Sequence, residues 1–396
     1  MKILLINKYY YNRGGSEKYL FELEKLLKAK GHQVRIFSMK HPKNLATPDS
    51  ANFIKYHEFK RPTLWTYLKE GLGLFYRPES VRQLAKIVKD FQPDIAHLNN
   101  INFQLTTSIV DYLKKKEIPL VMTLHDYQLV CPNHLLFRQN HYCQACFPKK
   151  FYHCLLYRCY KNSLAQSLVA TVESYFNHAR RVYDKIDAFI SPSQFLKQKM
   201  VEGGLPANKI RVWPNFLDLT GYANQKFPKD NYYLYAGRLT EDKGIKELID
   251  TFSQNSHWQL KIVGDGPLQP LVLKSLTNNI KYHGHLTAEQ VQQTLAQAKA
   301  LILTSVWPEN CPYIIIESLA AGTPVIATDV GGVAELVIDK VNGLLINNIN
   351  QLPEVIAELE KNSTLLNGLT NQTKKTVIAY DAELYYQKLI ALYQQF

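Results

Sequence analysis

The sequence predicts an α/β protein made of two doubly wound domains, each with a parallel sheet covered by helices. The chain has 396 residues, which is long for one domain and suits two of roughly 200 residues each. Short and fully apolar runs, such as residues 3–6, are typical of parallel strands buried on both faces. These runs alternate with amphipathic helical patterns along most of the chain, which is the pattern of a doubly wound fold.

The first half begins with a strand, a glycine turn and a helix. Gly14 and Gly15 open a helix with leucines on one side, and Gly31 ends it. Ser193 is predicted to cap a later helix. Strands are predicted at 3–6, 34–37, 95–98, 120–124, 188–190 and 210–213, and helices at 105–115, 163–185 and 194–202. Between them, residues 125–162 show no helical period, and such a long irregular insert is usually functional or metal-bound.

A polar stretch at residues 214–230 is the predicted linker, so the first domain is expected to cover residues 1–214. Strand and helix patterns then resume, and a helix is predicted for 364–396. The remaining strands are predicted at 232–236, 259–263, 280–282, 300–303 and 324–327, and the helices at 245–252, 288–298 and 313–321. The second domain is predicted to cover 215–375.

The charge is uneven along the chain. The net charge is +13, and residues 1–214 hold 33 Lys and Arg against 16 Asp and Glu, whereas the remainder holds 14 against 18. A basic surface attracts anionic membranes or acceptors, although it also serves solubility alone. No nucleic-acid motif accompanies it. Neither a signal peptide nor a spanning apolar run is visible, which predicts a cytoplasmic protein, peripheral on the inner face of the cell membrane.

Two cations lie on a glycine-flanked turn, GRLTEDKG, in the second half. Arg238 offers a planar guanidinium group with several N–H donors, and Lys243 offers a compact ammonium charge. Gly237 and Gly244 let the backbone approach a ligand closely. Fixed cations stabilise the charge that grows on a diphosphate leaving group. The alternative is two surface cations on an ordinary turn.

Two carboxylates, Glu309 and Glu317, are separated by seven residues at the start of a predicted helix. Carboxylates can accept hydrogen bonds from sugar hydroxyls, and a helix N-terminus attracts negative charge. Together they predict a pocket for a nucleotide sugar. The backbone amides near Asn310, Cys311 and Tyr313 are candidates for holding a phosphate or sugar oxygen. The alternatives are a helix-dipole partner or a buried ion pair for the acids, and plain packing for Cys311.

These motifs, with VGDGP and PENCPYIIIESLAAGTPVIAT in the same order, resemble the donor-binding half of the retaining glycosyltransferases of family 4. The resemblance covers nearly the whole chain. It implies the GT-B fold, with two Rossmann-like domains facing across a cleft and residues 376–396 packing back on the first domain. It assigns Arg238 and Lys243 to the donor diphosphate, Glu309 to the transferred sugar and Glu317 to the ribose.

The same resemblance assigns further donor contacts to two other segments. It places the turn of Gly264, Asp265 and Gly266 close to the nucleotide base, although a tight turn capped by an Asp is the simpler interpretation. It places the loop of Gly14 and Gly15 opposite the donor phosphate and the acceptor.

His125 ends a predicted strand, at the edge of a parallel sheet where ligands gather. The resemblance places it against the donor sugar, so it joins Arg238, Lys243 and Glu309 as a predicted catalytic residue. A structural loop histidine is the alternative.

Five cysteines lie close together in the irregular insert. In a cytosolic chain, metal binding is favoured over disulfides. A structural zinc ion would need four of the thiolates, or three with His141 or His153; the alternative is reduced cysteines that only pack. The predicted ligands are Cys131, Cys143, Cys146, Cys154 and Cys159.

The sequence therefore predicts a retaining glycosyltransferase that moves a sugar from a nucleoside-diphosphate sugar to a glycan or lipid-linked acceptor, in surface-polysaccharide or glycolipid assembly. No catalytic metal is expected, because no Asp-x-Asp motif is present. The alternatives are a nucleotide-sugar epimerase or a phosphorylase of the same fold, and a non-catalytic nucleotide-sugar-binding protein.

Overall fold

The structure, a computed structural model, describes residues 1–56, 73, 75–139, 141–222 and 227–396. Part of the predicted linker, residues 223–226, therefore lies outside the described residues. The chain forms two compact units, Met1–Pro214 with Tyr386–Phe396, and Asn215–Tyr385. They are called unit 1 and unit 2 below.

Unit 1 contains a six-stranded parallel sheet in the order β2-β1-β3-β4-β7-β8. Residues 3–6 in β1 are fully buried because helices cover both faces of the sheet. The described strands of the unit are β1 Lys2–Ile6, β2 Gln33–Phe37, β3 Ile95–Leu98, β4 Leu120–Thr123, β5 Phe137–Arg138, β6 His141–Tyr142, β7 Ala188–Ser191 and β8 Ile210–Val212. Its described helices are α1 Gly15–Ala29, α2 Pro78–Phe91, α3 Ser108–Lys115, α4 Tyr152–Leu156, α5 Leu164–Ala179 and α6 Gln194–Glu202.

Unit 2 contains a second six-stranded parallel sheet, in the order β11-β10-β9-β12-β13-β14. Its strands are β9 Tyr233–Ala236, β10 Leu260–Val263, β11 Ile280–Tyr282, β12 Ala300–Leu303, β13 Val325–Thr328 and β14 Gly343–Ile346. The described helices are α7 Ile245–Gln254, α8 Gln269–Lys274, α9 Ala288–Gln297, α10 Tyr313–Ala320, α11 Leu352–Lys361, α12 Ser363–Val377 and α13 Ala382–Tyr393, the last of which ends within unit 1. The predicted α/β fold with two parallel sheets is confirmed.

Three local predictions need correction. The insert at 125–162 is not wholly irregular, because it contains the hairpin β5–β6 and the short helix α4. The helix predicted for 163–185 ends at Ala179, after which Arg181 has a left-handed φ of 50° and starts a separate turn. The helix predicted for 364–396 is broken between α12 and α13, where Asp381 is extended and its carboxylate accepts a hydrogen bond from the Glu383 amide at 2.8 Å.

The predicted cap of α6 is confirmed, since the Ser193 hydroxyl accepts a hydrogen bond from the Leu196 amide at 3.1 Å. Among the described helices, none combines the length and apolar character that crossing a bilayer requires.

Candidate active site

In unit 2, the loops that follow β9, β10, β12 and β13 start from one edge of the sheet. The strands are parallel, so their carboxyl ends meet there. The sequential order of the strands reverses between β9 and β12, which opens a crevice at that edge. The block GRLTEDKG begins directly after β9, the turn of Gly264 directly after β10, and Glu309 lies in the loop after β12, while Glu317 lies in the following helix, α10.

Close backbone contacts hold these loops together. The Leu239 amide donates a hydrogen bond to the Asp265 carbonyl at 2.9 Å, which joins the loop after β9 to the loop after β10. Gly264 has a φ of +127°, and a Cβ atom there would lie 1.9 Å from the Gly237 carbonyl oxygen. Gly244 has a φ of +63°, and its Cβ would lie 2.3 Å from the Thr304 carbonyl oxygen. Glycine is required at both positions because no other residue fits between the loops.

Lys243 and Glu309 form an ion pair across two of these loops. The two side chains are only 12% and 7% exposed, so water screens the pair weakly. The Ser305 hydroxyl donates a hydrogen bond of 2.6 Å to the same Glu309 oxygen, Oε1. The Lys243 ammonium also lies 5.1 Å from the centre of the Trp307 ring. The predicted cation and acid are therefore fixed side by side, although 66 residues separate them in the sequence.

The other predicted residues of this site differ in exposure. Arg238 is exposed, and its backbone is held by the Tyr235 hydroxyl, which donates to the Arg238 carbonyl at 2.7 Å. Asp265 is exposed on the turn after β10, where its Oδ1 accepts a hydrogen bond of 3.2 Å from the Tyr282 hydroxyl. Glu317 is half-buried in α10.

The side chains of Asn310, Cys311 and Tyr313 are buried where α10 begins. The Cys311 sulfur accepts a hydrogen bond from the Asn215 amide at 3.3 Å, and burial raises the pKa of this thiol to about 12. Cys311 is therefore a packed thiol. Two further groups that contact Glu309 were not predicted from the sequence: the Ser305 hydroxyl, and the Gly332 amide, which donates to the Glu309 carbonyl at 2.6 Å. The glycine pair after β13 was the available signal.

Unit 1 has a polar cluster at the corresponding edge of its own sheet, after β1, β3 and β4. The His125 ring bonds to the Asn99 side-chain oxygen through Nε2 at 2.8 Å. Asn99 is buried, and its Nδ2 donates to the Ile6 carbonyl at 3.4 Å. Next to His125, the Asp126 carboxylate faces the His134 ring at 3.8 Å. The strand order reverses between β1 and β3, so this edge also has the crevice typical of ligand sites.

Electrostatics keep His125 neutral at neutral pH. Its pKa is lowered to about 4, mainly by burial; the charge of Asp126 opposes this shift, and the nearby Lys8 ammonium adds to it. Burial would raise the pKa of Asp126, but the neighbouring His134 ring and the charge of Lys8 hold it below its usual range. Burial also lowers the pKa of Lys8. Because the amide oxygen of Asn99 only accepts hydrogen bonds, the neutral His125 ring carries its proton on Nε2.

Glu173, on α5, is a buried carboxyl group that the sequence analysis missed. It accepts hydrogen bonds from the Asn102 side chain at 3.2 Å and from the Phe103 amide at 3.4 Å, both in the loop after β3. Burial raises the pKa of Glu173 to about 7. It lies inside a helix, 71 residues along the chain from its partner Asn102, so no local pattern in the sequence pointed to it.

The predicted glycine loop of unit 1 precedes α1. Gly14 is the N-cap residue and Gly15 the first helical residue, and both are exposed. Glu17, in the first turn of α1, is 3% exposed and accepts a hydrogen bond from the Asn7 side chain at 3.3 Å. Burial raises the pKa of Glu17.

The predicted zinc site is not supported. Within the described residues, no three or more His, Cys, Asp or Glu side chains are grouped so that they could hold a metal ion. The five cysteines of the insert do line one small cavity of about 10 Å³, but all are free thiols. Burial raises the pKa of Cys131 to about 12, so this thiol stays protonated. A hydrogen bond from Cys154 instead lowers the pKa of Cys159 to about 7.

The fold and the two clusters define a two-unit α/β protein of the GT-B class. The family model for Glycosyltransferase Family 4 matches residues 13–220, and that for Glycosyl transferases group 1 matches residues 222–376. The chain belongs to glycosyltransferase family 4.

Individual relatives agree with this family. The chain is 24% identical over 359 residues to an uncharacterized 42.6 kDa protein in the cps region of Klebsiella pneumoniae, covering 85% of this chain and 87% of that protein. It is 30% identical over 200 residues, 41% of this chain, to the lipopolysaccharide 1,2-N-acetylglucosaminetransferase of Salmonella typhimurium, and this match spans about half (52%) of that relative. The Anabaena protein Alr3699/HepE, crystallised with UDP-glucose, has a similar fold, with a TM-score of 0.66, 18% identity and full coverage (100%) of both chains.

Proposed function

We propose that the protein transfers a sugar from a nucleoside-diphosphate sugar to a glycan or lipid-linked acceptor, in the assembly of a surface polysaccharide or glycolipid. The observation that carries the proposal is the nearly buried pair of Lys243 and Glu309 at the carboxyl edge of the unit 2 sheet. The UDP-glucose complex of the Anabaena protein supports a nucleotide-sugar donor. The cps-region and lipopolysaccharide relatives support a polysaccharide product.

In this proposal the donor binds to unit 2. The Lys243 ammonium and the exposed Arg238 guanidinium contact the diphosphate, and Glu309 accepts a hydrogen bond from a hydroxyl of the transferred sugar. Glu317 takes the ribose hydroxyls, and the turn at Asp265 lies near the base. The loops are already held in place by backbone contacts, so little reorganisation is needed when charge develops on the leaving group.

The chemistry is a single exchange at the anomeric carbon. The bond from this carbon to the diphosphate oxygen breaks, and a bond to the acceptor oxygen forms on the same face. The acceptor proton passes to the departing diphosphate, so the configuration is retained. We place the acceptor at the unit 1 cluster, where the neutral His125 ring contacts the reacting sugar. Arg238 and Lys243 supply the positive charge that the leaving group needs, so activity is expected to persist with a chelator present.

The donor is identified by a binding screen of UDP-sugars and GDP-sugars, read by the fluorescence of Trp307. The Lys243 ammonium lies 5.1 Å from this ring, so a diphosphate that contacts the ammonium changes the surroundings of the indole. We expect one nucleotide class to change the emission and the Trp307→Phe variant to lose that change. A signal that persists in Lys243→Ala at unchanged affinity would argue against the proposed diphosphate contact.

Turnover then separates the proposal from its rivals. A transferase consumes the bound donor faster when a lipid-linked or glycan acceptor is added, and nuclear magnetic resonance of the product shows a retained anomeric configuration. An epimerase converts the donor without an acceptor. A binding protein leaves the donor unchanged under every condition, and either of these last two results would refute the proposed transfer.

A further inference from the structure

The helix α5 in unit 1 has its polarity reversed relative to an ordinary surface helix. Its buried residues are small or polar: Ser167, Ala170, Thr171, Glu173, Ser174 and Asn177. Its exposed residues are instead large and apolar. Leu164, Leu168 and Val172 recur every four residues, so they form one row along the helix.

This row continues onto α4, which packs against α5. The Tyr152 amide donates a hydrogen bond to the Tyr175 hydroxyl at 3.3 Å, and both rings are exposed. Leu156, at the end of α4, is 66% exposed, and Leu164 is 53% exposed. We call Tyr152, Leu156, Leu164, Leu168, Val172 and Tyr175 the apolar face. A contiguous exposed apolar surface of this kind marks an interaction site, whereas single exposed apolar residues are ordinary.

The charges beside the apolar face have one sign. Residues 127–179 contain five Lys and Arg and a single acid, Glu173, which is 4% exposed and points away from solvent. Lys150 lies two residues before α4, Arg158 two residues after it, and Lys161 three residues before α5; all three are exposed. The exposed side chains around the apolar face therefore carry positive charge without a neighbouring acid from the same segment.

We propose that the apolar face and its flanking cations bind the surface of an anionic phospholipid bilayer. The aliphatic and tyrosine side chains enter the boundary between headgroups and acyl chains, and the cations contact the lipid phosphates. A second copy of the chain fits less well, because a symmetric dimer through this face would bring the same cations together. Nucleic acid also fits less well, because it would contact the cations but leave the aliphatic side chains of the apolar face without an apolar partner. This inference goes beyond the proposed transfer reaction and does not depend on it.

The test is co-sedimentation of the full chain with lipid vesicles. We expect binding to phosphatidylcholine vesicles that contain about one third phosphatidylglycerol, little binding to phosphatidylcholine alone, and weaker binding at high salt. Leu168→Ser combined with Val172→Ser should weaken binding about tenfold or more, through loss of buried apolar area. Lys150→Gln combined with Arg158→Gln should weaken it by about tenfold or more, since each cation near an anionic surface contributes a several-fold factor.

The matched control is Leu273→Ser combined with Leu276→Ser, two exposed leucines of unit 2, which should bind vesicles as the parent does. Circular dichroism and thermal unfolding establish that each variant is folded. The Lys150→Gln and Arg158→Gln substitutions test the proposal without changing the leucines and valine of the apolar face. Equal loss of binding in the control, or equal binding to both kinds of vesicle, would refute the proposal. Concentration-dependent dimerisation that the Leu168 and Val172 substitutions abolish would assign the face to a second copy instead.

Discussion

Both candidate sites lie at the carboxyl edge of a parallel sheet, but the two units form them differently. In unit 2 the site consists of short blocks, each directly after a strand, locked by glycines such as Gly244 and Gly264. In unit 1 the cluster draws on residues from Asn7 to Glu173, and it combines asparagine side chains with buried titratable groups whose pKa values are shifted. One site is fixed by backbone contact, and the other by side-chain hydrogen bonds and burial.

This difference teaches what each site tolerates. A backbone-locked site keeps its shape as pH changes but is sensitive to any added side chain at its glycines. A cluster of buried titratable groups tolerates changes elsewhere in the chain, yet its charge state, and with it the stability of the unit, depends on pH. We expect donor affinity to depend mainly on unit 2 side chains, and turnover to depend on side chains of both units.

The largest effect is expected at the ion pair of unit 2. Lys243→Ala should lower kcat/KM by about 10²–10³-fold, because a fixed cation beside the developing charge is removed. Steady-state kinetics with the donor found in the binding screen measures the loss. Lys246→Ala, at an exposed position on the adjoining helix α7, is the control and should retain parental activity. Comparable rates for the two variants would show that Lys243 does not contact the leaving group.

The second expected effect separates the units. His125→Ala should lower kcat about 10²-fold while the donor dissociation constant, measured by Trp307 fluorescence, stays at the parental value. The reason is that the proposed nucleotide and diphosphate contacts lie in unit 2, whereas His125 of unit 1 acts on the sugar only as its bond to the diphosphate breaks. His141→Ala, at an exposed position in the same unit, should change neither quantity. A weaker donor affinity in His125→Ala would contradict this division of roles.

The third expected effect concerns the close backbone contact between Gly264 and Gly237. Gly264→Ala should lower the free energy of unfolding by about 2–4 kcal/mol, because its φ of +127° is unfavourable for alanine and the new Cβ meets the Gly237 carbonyl. Chemical denaturation measures the change. Gly368→Ala is the matched substitution: it lies within α12, where a Cβ meets nothing within 4 Å, and it should stabilise by about 0.5–1 kcal/mol. Equal stability for the two variants would remove the argument for a locked loop.

The smallest expected effect is on pH dependence. His97 and His125 have pKa values lowered by burial to about 3 and about 4, so the unfolded chain binds more protons than the folded chain below pH ~6.5. Their contribution to stability is complete above this pH and is lost as pH falls towards 4. Glu173, with a pKa raised to about 7, acts in the opposite direction and adds stability as pH falls.

Thermal unfolding between pH 7 and pH 5 tests these signs. The parent should lose stability on acidification, and Glu173→Gln should lose more, because the opposing group is removed. His125→Gln should lose less. A Glu173→Gln variant that is less sensitive to acid than the parent would show that this carboxyl group is ionised in the folded protein.

The structure pairs Lys243 with Glu309, two residues that the sequence had singled out, whereas few members of the unit 1 cluster were singled out. Arg238, Lys243 and Glu309 could be named because each lies in a short block that follows a strand, and parallel strands end at a common edge. The neighbours Ser305 and Gly332 were missed, because neither belongs to a charged motif. In unit 1 the sequence singled out only the glycine loop and His125 as candidate contacts for the donor or the acceptor. Asn99 and Glu173 join the cluster through contacts between distant segments, which no local pattern records.

The cysteines of the insert show the same limit. Their proximity in sequence predicted a metal site, but metal binding needs a particular arrangement of sulfur atoms in space. The reversed polarity of α5 was equally hidden, since a helical period shows which residues share a face and not which face is covered.

The sequence by itself determined the alternation of strands and helices, the two parallel sheets and the charged motifs that follow their strands. These features depend on residues that are neighbours in the chain, so local patterns of apolar side chains, glycines and charges specify them. Only the tertiary structure decided that Lys243 pairs with Glu309, that His125 is buried and neutral, and that α5 exposes its apolar side. Burial and pairing depend on packing between distant segments, and it is packing that sets the electrostatic and solvent environment of each side chain.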